Sequence, residues 1–216
     1  MERFHLVIWD NDGVLVDSEP IANRILAELL TESGWPTTYE DSLREYMGGS
    51  MKLVREVVEP KLGRPLPADL EDRYHEQLFL RMRTELLAVE GVREALDELD
   101  LPVCVASSGA HARIELALKK TGLYEKFAGH IFSADDVERG KPNPDLFLHA
   151  AREMGVAPEH CVVVEDSPLG VTAARAAGMK VIGYAGMTPA ERLKDADVVI
   201  TAMSQLTQQI RRLDAS

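Results

Sequence analysis

Six short apolar runs recur along the chain: Phe4–Trp9, Val103–Ala106, His130–Phe132, Cys161–Val164, Val181–Tyr184 and Val198–Ile200. They are largely continuous rather than alternating, as a strand buried on both faces requires. Helical patterns separate them, and repeated strand–helix–strand units imply a parallel sheet with right-handed crossovers. The expected class is therefore α/β, a Rossmann-like parallel sheet core with helices on both faces. The helices carry their own punctuation. Asn143 suits an N-cap and Pro144 the first helical position; Leu146, Phe147, Ala150, Ala151 and Met154 form an apolar stripe; Gly155 stops the helix. Ser167-Pro168 opens another helix, which ends near Gly178.

One block breaks the alternation. From Val16 to Leu87 no convincing strand is found, whereas Ile21, Ile25 and Leu29 are spaced by fours and Gly34-Trp35-Pro36 ends that helix. Leu53, Val57 and the stretch from Tyr74 to Leu87 continue in helical style. The reading is an α/β core of residues 1–15 and 88–216 with an all-α insert, residues 16–87, after strand one. Ligands bind at the carboxyl ends of strands in open α/β sheets. An insert leaving from such an end is expected to act as a cap, or lid.

Composition bounds the partners. The chain has 216 residues; at ~150 residues per domain that suits one generous domain or a core with a smaller insert. The net charge of −12 argues against nucleic acid and anionic membranes, which call for a basic face. No apolar stretch approaches the ~18 residues of a membrane span, and Met1-Glu2-Arg3-Phe4 runs into the first strand without a signal-like leader. Cys104 and Cys161 lie inside apolar runs and read as buried thiols in a reducing, cytoplasmic compartment.

Candidate chemistry gathers at strand ends. Strand one ends Asp10-Asn11-Asp12-Gly13, and the fourth strand ends Glu165-Asp166. Asp-Gly is also ordinary turn chemistry. An EF-hand is excluded, because setting Gly13 at its sixth position puts Ile8 where a ligand belongs. Strand ends of one parallel sheet converge on one edge, where four carboxylates repel unless a cation joins them. Hard oxygen donors suit Mg²⁺. Opposite polarity comes from two other loops. Ser107-Ser108-Gly109 offers a hydroxyl and backbone N–H groups before a helix, an anion site. Gly140-Lys141-Pro142 sets a lysine on a Pro-flanked loop. Together these describe a phosphoryl-transfer site.

The ordered set Asp10-Asn11-Asp12-Gly13, Ser107, Lys141 and Glu165-Asp166 resembles the four motifs of the haloacid dehalogenase superfamily. Asp12-Gly13-Val14-Leu15-Val16-Asp17-Ser18-Glu19, Gly140-Lys141-Pro142 and Glu165-Asp166-Ser167-Pro168-Leu169-Gly170 resemble its β-phosphoglucomutase-like and sugar-phosphatase branch, and the likeness runs over essentially the whole chain. That resemblance implies roles. Asp10 is the nucleophile that becomes an aspartyl phosphate. Asp12 is the general acid and then base, while Ser107 and Lys141 hold the phosphoryl group. Mg²⁺ is held by Asp10, the Asp12 carbonyl and Asp166, with Glu165 either a ligand or behind one. Ser108 and Gly109 line the anion loop. Met47-Gly48-Gly49-Ser50-Met51-Lys52 resembles a cap specificity loop, making Gly48, Ser50 and Lys52 candidate substrate contacts, although Met51 stands where related enzymes have an arginine. Arg44, Arg73, Arg81 and Arg83 read mostly as solvated charge, and the histidines show no acid partner in the sequence.

The implied function is a Mg²⁺-dependent phosphatase, expected to be monomeric, acting on a small phosphorylated metabolite of the sugar-phosphate kind. A phosphomutase on the same site is the nearest alternative. Ala22 argues against it, because it stands where the resembling mutases carry a gating histidine. A phosphoacceptor signalling module or a non-catalytic metabolite-binding protein leaves the insert or the complete acid set unexplained.

Overall fold

The computed structural model describes residues 4–215; the leader-free start read from Met1 to Arg3 lies outside them. The chain divides into two compact units, one of residues 1–17 and 87–216 and one of Ser18–Leu86.

The first unit is built on six parallel strands: β1 (Leu6–Trp9), β2 (Val103–Ser107), β3 (Ile131–Ser133), β4 (Cys161–Glu165), β5 (Lys180–Tyr184) and β6 (Val198–Ile200). Their order in the sheet is β3-β2-β1-β4-β5-β6. The connections therefore run outward from β1 in one direction, then reverse and run outward in the other. The switch lies between β1 and β4, the place where an open sheet of this kind leaves a crevice for ligands.

Register explains the continuous apolar runs. Ile8 pairs with Cys104 on one side and Val163 on the other, so Leu6, Ile8, Cys104, Cys161 and Val163 share one face. That face packs with Leu146, Phe147, Ala150 and Ala151 and with Val171, Ala173 and Ala174. Val7, Trp9, Val105, Val162 and Val164, on the opposite face, are equally buried. Two-sided burial leaves no position for a polar side chain until the strand ends.

The stripe residues on the core side belong to two helices whose starts follow local rules. In one (Pro168–Ala176), Ser167 caps the first turn by accepting the Gly170 N–H, and Gly178 ends the segment with φ +76°. The other runs Asp145–Glu153 and begins one residue later than the Asn143 cap predicts. The Asn143 amide turns back to donate to the Gly140 carbonyl at 3.1 Å, so Pro144 takes the cap position. Both Gly140 and Asn143 thus stiffen the loop that carries Lys141. A further helix, His111–Thr121, follows β2.

The second unit is all helix: Glu19–Glu32, Tyr39–Tyr46, Met51–Leu62 and Leu70–Glu85. The first packs on the second and fourth, burying Ile21, Ile25 and Leu29 as their spacing predicts. Thr38 and Asp41 form a reciprocal capping box at the start of the second helix.

Candidate active site

Asp10 is the first residue after β1, and its N–H still reaches Val164 O at 3.0 Å. The chain then turns sharply. Asn11 O accepts the N–H groups of both Leu15 and Val16, and Gly13 N donates to Val16 O at 2.8 Å. Gly13 sits at φ +80°, a conformation glycine adopts without steric cost. The turn returns Asp12 to the same edge as Asp10. Asp10 is buried there, as is Glu165 at the end of β4.

Lys141 ties the two strand ends together. Its ammonium donates to Asp10 Oδ1 at 2.6 Å, Glu165 Oε1 at 2.7 Å and the Ala106 carbonyl at 3.1 Å, which uses all three of its protons. It lies 4.9 Å from the Phe147 ring centre, and its side chain is only 4% exposed. Burial alone would push the lysine down, but Asp10 and Glu165 outweigh it and hold Lys141 protonated. Asp10 is pushed up to about 7. Burial is the largest cause, and Glu165 and Asp12 add repulsion that Lys141 only partly offsets. Two buried carboxylates against one ammonium leave the site with surplus negative charge.

Glu165 is committed on both oxygens. Oε1 accepts from Lys141, and Oε2 accepts from the Ser167 N–H at 2.8 Å and the Ser167 hydroxyl at 2.9 Å. The carboxylate packs onto Gly170 so closely that a Cβ there would fall 1.7 Å from Oε1. Asp166 is half-buried and lies over Gly13. Carboxylate oxygens of Asp10, Glu165 and Asp166 come within 4.8 Å of one another. An all-oxygen set at this spacing, with Asp10 held above its usual range by burial and by neighbouring carboxylates, fits a hard divalent cation. Glu165 has the weakest claim as a ligand, because its oxygens already have partners.

The opposite polarity lies at the end of β2. Ser107 is buried and its hydroxyl oxygen accepts the Gly109 N–H at 3.1 Å, closing a tight loop, while Ser108 is exposed. Gly109 O accepts from the Ser133 hydroxyl at 2.7 Å, so the end of β3 braces the loop from behind. Asp10, Asp12, Ser107, Gly109, Lys141, Glu165 and Asp166 thus all lie at the carboxyl edge of the sheet or on the loops leaving it. A buried carboxylate, a second one two residues on, a fixed ammonium and an anion loop are together equipped for phosphoryl transfer.

The remaining candidates lie in the helical unit. Gly48 occupies a turn with φ +67°. Ser50 caps the third helix, accepting the Leu53 N–H at 3.3 Å. Lys52 is exposed, with Glu56 3.8 Å away one turn on. Arg44, Arg73 and Arg81 are paired with Asp41, Glu32 and Glu28.

Two site neighbours escape a reading of the sequence. Arg113, in the first turn of the helix after the anion loop, pairs with Asp12. His111 does have an acid partner, contrary to the reading from sequence. Its Nε2 lies 2.9 and 3.0 Å from the two Asp136 oxygens. A helix start that follows a phosphate-type loop points its side chains back at that loop, and this was the available signal for Arg113. His111 and Asp136 meet only because β2 and β3 are sheet neighbours.

A family profile described as haloacid dehalogenase-like hydrolase matches residues 4–178. The chain is 32% identical over 185 residues to 6-phosphogluconate phosphatase of Escherichia coli (strain K12), spanning 85% of this chain and 84% of that one. A conserved haloacid dehalogenase-like protein of Agrobacterium tumefaciens str. C58 superposes with a TM-score of 0.91 at 42% identity, covering 97% of this chain and 99% of that one. A HAD family hydrolase of Deinococcus radiodurans R1, solved with bound phosphate and sodium, superposes with a TM-score of 0.83 at 30% identity over 98% and 97% of the two chains.

Proposed function

Since the chain belongs to the haloacid dehalogenase-like hydrolases and is an enzyme of their phosphatase kind, we propose that it removes phosphate from a small phosphorylated sugar through an aspartyl phosphate on Asp10. The observation that carries this reading is the buried Lys141 bridge between Asp10 and Glu165, with Asp12 beside it. In this reading the α/β unit is the catalytic core and the helical unit its cap.

The first half-reaction forms a bond between an Asp10 carboxylate oxygen and phosphorus and breaks the bond from phosphorus to the sugar oxygen. Asp12 gives its proton to that leaving oxygen. In the second half Asp12 takes a proton from water, the water oxygen attacks phosphorus, and the acyl phosphate bond breaks to release inorganic phosphate and Asp10. Ser107 and the loop through Gly109 hold the phosphoryl oxygens, and Lys141 joins them once a phosphoryl oxygen replaces one of its three present acceptors. Asp10, Asp166 and the Asp12 main-chain carbonyl would hold Mg²⁺. The metal supplies charge that lets a carboxylate and a phosphate dianion meet.

Hydrolysis is favoured over transfer to a second sugar. Ala22 lies in the first turns of its helix, at the position where the resembling mutases carry a gating histidine, and a methyl group offers no hydrogen bond with which to play that part. The buried, unpaired thiols Cys104 and Cys161 support a reducing, cytoplasmic setting. Inorganic phosphate release should be measured across phosphorylated sugars, 6-phosphogluconate and a hexitol phosphate among them, with and without Mg²⁺. Metal-dependent release that vanishes in Asp10→Asn is expected. Efficient conversion of β-glucose 1-phosphate to glucose 6-phosphate with little free phosphate would transfer the assignment to a mutase.

A further inference from the structure

Asp12 has two successive duties in the proposed reaction, and the structure gives it a partner that no motif includes. Arg113 Nη2 donates to Asp12 Oδ2 across 101 residues of sequence. Asn11 Nδ2 approaches the same oxygen at 3.3 Å. The guanidinium also lies close against Gly109 of the anion loop. A Cβ built on Gly109 would fall 3.0 Å from Arg113 Nε, 3.3 Å from Nη2 and 3.4 Å from Cζ, so the arginine head is seated tightly where the loop carries no side chain. We propose that Arg113 is a positioning residue for both proton transfers, clamping the Asp12 carboxylate against the loop of Ser107–Gly109.

Three observations support a positional role over a stabilising one. The Arg113 and Asp12 side chains are 27% and 21% exposed, and ion pairs that water reaches add little to stability. The platform beneath the arginine is rigid. Arg113 sits in the first turn of its helix, that helix start is tied to the end of β3 through His111 and Asp136, and Ser133 braces Gly109. Charge is also divided sensibly: Lys141 faces Asp10 and Glu165, whereas Arg113 faces Asp12. Without a counter-charge on its own side, Asp12 would be driven from the edge by the carboxylates of Asp10 and Asp166. A planar fork, packed on one face and aimed along one edge, sets orientation as well as charge.

This inference rests on the aspartyl-phosphate reading, and the test separates the two. Wild type, Asp12→Asn, Arg113→Ala and Arg113→Met are compared on 6-phosphogluconate, whose leaving oxygen needs a proton, and on p-nitrophenyl phosphate, whose leaving group does not. For both arginine variants kcat on the sugar phosphate is expected to fall by about 10²-fold, the low end of general acid–base effects, with KM nearly unchanged. On p-nitrophenyl phosphate the same variants should show a burst of nitrophenolate stoichiometric with enzyme, then a slow steady state, because hydrolysis of the phosphoenzyme still needs Asp12. Arg113→Met keeps an unbranched apolar stem in the helix while removing the guanidinium, and carries the test if the alanine variant misfolds. An Asp12→Asn enzyme with full turnover sinks the underlying reading. An inactive Asp12→Asn beside arginine variants within twofold of wild type, or slowed equally on both substrates without a burst, sinks the arginine's role alone.

Discussion

Gly13 and Asp166 occupy space that only one of them can fill: a Cβ on Gly13 would lie 2.0 Å from Asp166 Oδ2. The two residues are 153 positions apart (166 − 13) and meet because β1 and β4 are adjacent. Gly13 also has φ +80°, so its lack of a side chain is required twice over.

Gly13→Ala should therefore displace the Asp166 carboxylate and strain the turn. The backbone penalty is about 1–3 kcal/mol before the collision is counted. The expected outcome is a lower melting temperature and loss of any Mg²⁺-dependent rise in it. An unchanged Mg²⁺ response would show that Asp166 does not need its place over the turn.

Lys141 is a cation set between two buried acids, Asp10 and Glu165. Lys141→Ala leaves Asp10 and Glu165 without their counter-charge, and breaking a buried pair in this way costs about 3–5 kcal/mol. Adding Glu165→Gln removes part of the repulsion, so the double variant should recover some of the loss. Chemical denaturation of the single and double variants measures this directly. If the second change adds to the damage, Glu165 is valued for something other than its charge.

The pH dependence of the metal-free protein has a definite sign. A carboxyl with an ordinary value of 3.8 titrates near it in the unfolded chain, whereas folded Asp10 keeps its proton up to about 7. Between those values the folded state binds more protons than the unfolded one, so stability falls as pH rises through this window. A divalent cation takes over the role of the proton, and its stabilising effect should grow over the same range. Thermal melts from pH 4 to about 8, with Mg²⁺ or with chelator, report both trends. A metal-free protein that gains stability from this site as pH rises would contradict the charge balance described here.

Cys104 and Cys161 should be inert in the folded protein. Burial pushes both thiols up, Cys161 to about 12, so almost no thiolate exists at neutral pH. A disulfide-exchange reagent is expected to label neither cysteine until denaturant is added. Fast labelling of the native protein would place at least one of them at the surface.

How much of this was legible in the sequence depends on distance along the chain. The six strands were readable because two-sided burial produces continuous apolar runs, and the acids at their ends were readable because polar residues return where burial stops. Asp10 and Asp12 are near neighbours in sequence, and so are Glu165 and Asp166. Arg113 with Asp12, and His111 with Asp136, were not legible as pairs: the helix start after the anion loop hints only that Arg113 faces that loop, and the partners themselves are brought together by the strand order. The start of the helix after Lys141 shifted for a smaller reason. Asn143 could cap the helix or close the preceding loop, and it closes the loop.

The central place of β1 in the sheet sets the order in which the molecule can assemble during its own synthesis. Its two neighbours begin only at Val103 and Cys161, so the strand that ends at Trp9, just before Asp10, emerges from the ribosome long before either can pair with it. The four helices of Ser18–Leu86 make their contacts within one continuous stretch and have no such wait. Contacts that close long loops form late. Nascent chains halted before Cys161 are expected to protect the helical segment from protease while the β1 segment remains open to cleavage. Asp10, the proposed nucleophile and the earliest of the candidate site residues to be made, is then among the last to be set in place, when β4 arrives beside it.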